Sequence, residues 1–138
     1  MDNLVDLLKL HEGYRAKPYV DTVGKVTIGY GFNLTDVGLY PEESEFILNN
    51  RLRRLEGELE KALPWLGQLD AVRLAVIFDM AYNMGVPTLL TFKNTLRYVR
   101  EGNYTQAALN MIQSKWARQV GRRSTRLAEM MRTGEWPK

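Results

Sequence analysis

The stretch HEGYRAKPYVDTVGKVTIGYGF, His11 to Phe32, carries two carboxylates and a hydroxyl among glycines and aromatic residues: Glu12, Asp21 and Thr27. Eight residues separate Glu12 from Asp21, and five separate Asp21 from Thr27. Two acids with a hydroxyl suit acid–base chemistry, in which one group gives a proton while another stays ionised. Cleavage of a glycosidic bond is such a reaction. A protonated acid serves the leaving oxygen, and an ionised carboxylate supports positive charge or activates water. Two carboxylates take opposite roles when their surroundings differ, as at a helix end and on a polar turn. The competing reading makes Glu12 and Asp21 ordinary surface acids paired with Arg15, Lys17 or Lys25, and composition alone favours it.

The elements that would present these groups are readable from periodicity and breaks. Residues 3 to 12 read as a helix capped by Asn3, with Leu4, Leu7, Leu8 and His11 on one face. Gly13 suits the left-handed position that closes it. Glu12 then sits at the negative end of the helix dipole, where a carboxylate tends to keep its proton. Residues 18 to 34 read as a small antiparallel sheet turning at Thr22 to Lys25 around Gly24. Gly29 and Gly31 flank Tyr30 and mark either a close approach or a bulge.

Pro41 opens a helix of about six turns whose leucines 48, 52, 55, 59 and 63 form a stripe ending before Pro64. Asp70 is expected to cap the apolar helix AVRLAVIFDMAYNM, closed by Gly85. Thr91 is expected to cap a helix from Phe92 to Glu101 closed by Gly102. A further run starts at Asn103 or Thr105 and continues through Ile112 and Trp116, and a last helix runs from Arg122 to Arg132, ended by Gly134.

Composition narrows the classes. The chain has 138 residues, 45% hydrophobic and 25% charged, which suits one globular unit, with room for two lobes. With no cysteine and one histidine, His11, disulfides and thiolate metal sites are excluded and a His-rich site is not expected; no cofactor is called for. Asp2 and Asp6 stand where a signal peptide carries lysines, so neither a secretory signal nor a membrane span is expected. The net charge of +3 favours an anionic partner or simply solubility. Lys115, Arg118, Arg122, Arg123, Arg126 and Arg132 form a basic run without the interleaved aromatics of base stacking, so it reads as a solvated helix face.

Glu12, Asp21 and Thr27 inside EGYRAKPYVDTVGKVTIGYG resemble the phage lysozymes (endolysins) of the T-even type. The similarity continues through DAVRLAVIFDMAYNMG, TFKNTLRYV, Ser114 to Trp116 and RTGEW, and weakens only over residues 33 to 45, where this chain is shorter. The resemblance implies one lysozyme-like α+β domain, mainly helical, with a small β lobe over residues 1–40, a connecting helix over 41–63 and a helical lobe over 64–138. It implies a muramidase that hydrolyses the β-1,4 bond between N-acetylmuramic acid and N-acetylglucosamine of bacterial peptidoglycan, with inversion. Glu12 matches the general acid, Asp21 the carboxylate that supports the attacking water, and Thr27 the hydroxyl that positions it.

Tyr30, Gly31, Asn33 and Asn83 are secondary candidates for the sugar-binding cleft, each with a competing role in a turn or cap. Trp116 reads better as packing. Arg123 and Arg126 are candidates for binding peptide carboxylates of the wall. Phe32 stands where the T-even form has a histidine, which removes an ion pair rather than a catalytic group. The implied partners are peptidoglycan glycan strands and a holin-like pore, with no specific nucleic acid and a monomeric state. The implied route is accumulation in the host cytoplasm before action on the periplasmic wall. A wall-binding protein without catalysis, a lytic transglycosylase and a basic nucleic-acid-binding protein are the alternatives.

Overall fold

Prolines and glycines cut the first third of the chain into short pieces, and caps divide the remainder. The computed structural model describes residues 2–138. In order these form α1 (Asp2–Glu12), β1 (Arg15–Val20), β2 (Val26–Gly29), β3 (Phe32–Asn33), α2 (Pro41–Ala62), a 3-10 turn (Pro64–Gln68), α3 (Ala71–Met84), α4 (Val86–Leu89), α5 (Lys93–Arg100), α6 (Tyr104–Ile112), α7 (Lys115–Val120) and α8 (Arg122–Thr133). The class is α+β and mainly helical, as the sequence suggests. By contacts the chain divides into a first unit ending at Leu48 and a second, Asn49–Lys138, and the continuous helix α2 runs across that boundary.

In the first unit, α1 starts at Asp2, so Asn3 lies within the helix rather than capping it. Its other end is as expected: Gly13, at φ +69°, donates its N–H to the Lys9 carbonyl at 2.9 Å. The three strands pair antiparallel in the order β1-β2-β3, with Tyr19 opposite Thr27 and Thr27 opposite Asn33. β1 begins at Arg15, ahead of the expected start at residue 18, and its register shifts between Arg15 and Tyr19. Pro18 is tolerated there because β1 is an edge strand, where a missing N–H breaks no ladder bond on its open side.

The second unit holds the apolar core. Val76, Ile77 and Met80 of α3 are fully enclosed with Leu59, Leu89, Val99, Ala107, Met111 and Met131. Each large side chain buried this way contributes about 1.5–3 kcal/mol relative to exposure. Of the α2 leucines, Leu55 and Leu59 are buried, with Leu63 just beyond the helix end, whereas Leu48 is exposed. Asp70 caps α3 by accepting the Arg73 N–H at 3.1 Å. Arg73 in turn reaches the far end of α8, donating from Nε to the Met131 carbonyl at 2.8 Å while its guanidinium lies 3.7 Å from the Tyr104 ring centroid.

Two expected boundaries are corrected. Thr91 does not cap α5; its hydroxyl donates to the Thr88 carbonyl at the end of the short helix α4, at 2.6 Å. The run from Asn103 toward Trp116 is broken after Ile112, because Ser114 donates to the Met111 carbonyl at 2.6 Å and accepts the Ala117 N–H at 3.1 Å. One serine thereby closes α6 and caps α7. Among the described residues no helix is long and apolar enough to cross a membrane.

Candidate active site

Glu12 is the last residue of α1, and its carboxylate lies against the turn that joins β2 to β3. The contact is defined by a missing atom. A Cβ built on Gly31 would stand 2.2 Å from Glu12 Oε2, 2.6 Å from Cδ and 3.0 Å from Cγ. Gly31 has φ +73°, so backbone conformation and space both call for glycine. Gly29, at φ +67°, plays the same part for another neighbour, since the Phe32 ring lies 2.7 Å from where its Cβ would be. Of the two meanings left open for these glycines, close approach is the one found, and the approaching groups are side chains of this chain.

Asp21 and Thr27 are tied together through the backbone of Lys25. The hairpin loop between β1 and β2 folds so that Asp21 Oδ1 accepts the N–H groups of Val23, at 3.0 Å, and Lys25, at 2.8 Å. The Lys25 carbonyl accepts the Asp21 N–H at 2.9 Å and the Thr27 hydroxyl at 3.1 Å. Gly24, at φ +84°, makes this loop possible, as its place in the sequence suggests. Asp21 Oδ2 has no protein hydrogen bond among the described residues, and the Thr27 hydroxyl, its proton given to Lys25, keeps its lone pairs for a donor. Thr27 is only 4% exposed and is the sole buried residue among those described in the first unit. A fixed carboxylate and a fixed acceptor hydroxyl are what a positioned water needs.

Among the described residues neither acid forms an ion pair with the cations that a surface role would supply. Lys25 pairs with Asp36 at 3.2 Å, and Arg15 lies over the Tyr19 ring. The same Asp36 engages Asn33 at both ends of its amide: Oδ1 accepts the Asp36 N–H at 2.9 Å, and Nδ2 donates to Asp36 Oδ2 at 3.1 Å. Asn33 therefore holds the turn after β3. Tyr30 sits beside Gly31 with its ring 5.4 Å from that of Tyr14 and 5.3 Å from Lys9 Nζ. Tyr14 and Lys9 were not singled out in the sequence, although one lies two residues after Glu12 and the other one helical turn before it.

The remaining candidates belong to the second unit. Asn83 Oδ1 accepts the indole N–H of Trp116 at 2.8 Å, and Trp116 is buried edge-on to Phe92. Arg123 donates from Nε to Asp79 Oδ1 at 2.8 Å, and both line one recess with Arg126, Trp136 and Pro137. A recess of about 920 Å³ in this unit is lined by Phe92, Asn94, Asn110, Lys115 and Trp116 and includes neither Asn83 nor Arg123.

The sequence model of the phage lysozyme family matches residues 9–132, which takes in Glu12, Asp21, Thr27, Tyr30, Gly31, Asn33, Asn83 and Arg123. The chain belongs to the phage lysozyme family. Family membership makes it a glycosidase-type hydrolase. Relatives of this family member include two proteins of Dictyostelium discoideum. "Probable T4-type lysozyme 1" is 28% identical, the alignment covering 97% of this chain and 96% of that protein. "Probable T4-type lysozyme 2" is 24% identical with the same coverage, 97% and 96%.

Proposed function

We propose that the chain is a muramidase that hydrolyses the β-1,4 bond between N-acetylmuramic acid and N-acetylglucosamine in peptidoglycan, with Glu12 as general acid and Asp21 and Thr27 managing the water. The observation that carries this reading is the family match over a stretch in which the Glu12 carboxylate lies against the β2–β3 turn, in the same small sheet whose β1–β2 loop fixes Asp21 and ties it to Thr27 through Lys25. Glu12 gives its proton to the glycosidic oxygen as the bond to the anomeric carbon breaks. A water donates one hydrogen bond to Thr27 Oγ1 and one to Asp21 Oδ2, and attacks that carbon from the opposite face. Asp21 takes the proton that the water loses, and exchange with solvent returns Glu12 to its acid form. Direct attack by water inverts the anomeric centre, an outcome that calls for carboxylates about 6.5–9.5 Å apart.

The biological role that fits is endolysin action within one lysozyme-like catalytic domain, by a monomer released to the wall through a holin-like pore. Tyr30, Asn33, Asn83 and Arg123 are proposed as substrate-contacting residues, and Gly31 acts by giving room to Glu12. A Glu12→Gln variant keeps the side-chain shape and removes the proton donor. It is expected to fold normally and to release no reducing sugar from purified peptidoglycan; full activity would sink the assignment. Mass analysis of the wild-type digest is expected to show reducing N-acetylmuramic acid ends, whereas anhydro ends would indicate a lytic transglycosylase.

A further inference from the structure

We propose that Tyr14 is a stacking platform for the hexosamine ring beside the bond that is cleaved, and that Tyr30 and Lys9 hold it in place. The inference rests on the reading of the chain as a glycan hydrolase and adds to it a sugar contact for a residue that has no other role. Four observations bring it about. Tyr14 follows Glu12 by two residues and is 65% exposed, which leaves much of its ring in water. Its ring is tilted 47° against that of Tyr30 at 5.4 Å, a geometry that fixes an aromatic pair without covering both faces of either ring. Lys9 Nζ lies over the Tyr30 ring at 5.3 Å, and Lys9 and Glu12, three apart in α1, share a helix face. Tyr30 adjoins Gly31, whose Cα lies under the Glu12 carboxylate, and adjacent Cα atoms are about 3.8 Å apart.

The division of labour among these side chains follows from what each face meets. Tyr30 gives a face to Lys9 and an approach to Tyr14, so it serves as a support. Tyr14 keeps open surface two residues from Glu12, whose carboxylate is the proposed proton donor to the glycosidic oxygen. A β-configured hexosamine of the gluco series carries its ring substituents equatorially, so each face of the sugar presents axial C–H groups. Those faces are apolar and weakly positive, and they match the negative face of an aromatic ring. A tyrosine also supplies this area at low conformational cost, with two side-chain torsions to fix. The ligand is thus the N-acetylhexosamine unit itself, recognised by its ring face rather than by its amide or hydroxyls.

The test compares wild type with Tyr14→Ala, Tyr14→Leu, Tyr14→Phe and Tyr14→Trp on soluble peptidoglycan glycan strands. Leucine keeps apolar bulk without an aromatic face, and serves if alanine loosens the fold. Loss of one stacked ring is expected to raise KM about tenfold in the alanine and leucine variants, with kcat changed by less than about twofold. Phenylalanine and tryptophan are expected to match wild type. A second measurement uses the Glu12→Gln background and calorimetric titration with an alternating tetrasaccharide, in which Tyr14→Ala is expected to weaken binding by the same factor. Tyr40→Ala, at an exposed tyrosine before α2, controls for general loss of aromatic surface.

Equal KM and equal affinity for Tyr14→Leu and wild type would overturn the platform while wild-type turnover still supports the enzyme. Phenylalanine failing as badly as leucine would also overturn it, since the hydroxyl would then be the contact. Absence of both turnover and binding in wild type would overturn the two readings together.

Discussion

Adding one methyl group at Gly31 is expected to disable the enzyme while leaving it folded. In Gly31→Ala the new Cβ would meet Glu12 Oε2 at 2.2 Å and Cδ at 2.6 Å, where ordinary contact needs about 3.4 Å. The carboxylate must retreat by about 1 Å, and a misplacement of that size typically costs about 100-fold in rate. It can retreat, because it is the end of a flexible side chain, so the clash should appear in kcat and little in stability. The backbone adds a separate cost: alanine at φ +73° is disfavoured by about 1 kcal/mol, worth about 4 °C in melting temperature for a chain of this size.

Gly38→Ala separates the two effects. It has φ +70° and nothing nearer to its new Cβ than the Leu34 carbonyl oxygen at 4.0 Å, so it carries the strain without the clash. The assay is reducing-sugar release from peptidoglycan beside thermal melting by circular dichroism. Both variants should melt slightly below wild type, and only Gly31→Ala should lose activity. If its kcat stays within about twofold of that of Gly38→Ala, the idea that the acid is seated by an absent side chain is refuted.

Three further outcomes are expected. Thr27→Val removes the acceptor oxygen and leaves the Lys25 carbonyl without its hydroxyl partner, costing about 1 kcal/mol by chemical denaturation; activity should fall at least about tenfold, while Thr27→Ser should keep most of it, and an active valine variant would remove Thr27 from the water site. Burial pushes the Asp70 carboxyl up, but the N–H and guanidinium of Arg73 together hold it below the usual carboxylate value. Its capping contribution is therefore full above about pH 4 and is lost as pH falls through the depressed folded value; Asp70→Ala should cost about 1 kcal/mol at pH 7, and the gap in urea midpoint should close in acid, whereas a constant gap would refute the linkage. Proton NMR of the fresh digest should show the α-anomer before mutarotation, and an initial β-anomer would rule out direct attack by water.

The sequence displays most of the helical unit because its boundaries are local. Asp70, Gly85, Asn103, Gly102 and Gly134 act within one turn of their own position, and each ends or starts a helix as its chemistry suggests. The misses arise where one polar group has two local options. Thr91 has the Thr88 carbonyl within reach and takes it, and Ser114 serves two helices at once where the apolar periodicity continues unbroken. The residue types start the sheet at residue 18 because Arg15 to Lys17 lack strand-forming side chains, although pairing with β2 forms them into a strand. At the site, residue types suggested the roles of Glu12, Asp21 and Thr27. The hub at Lys25 was invisible because it acts through its peptide groups, and no side-chain pattern records which backbone atoms a loop turns inward.

The hydrogen bond between Asn83 and Trp116 has an optical consequence. All three tryptophans, Trp65, Trp116 and Trp136, lie beyond Leu48, whereas the first unit carries only tyrosines among its strong chromophores. Trp136 is 59% exposed and already resides in a water-like setting, while Trp116 is enclosed with its indole N–H satisfied. Tryptophan emission should then follow the loosening of the helical unit almost alone, with Trp116 supplying most of the red shift. The first unit would remain dark at that wavelength, so the loosening of the helical unit can be followed by itself without adding a label.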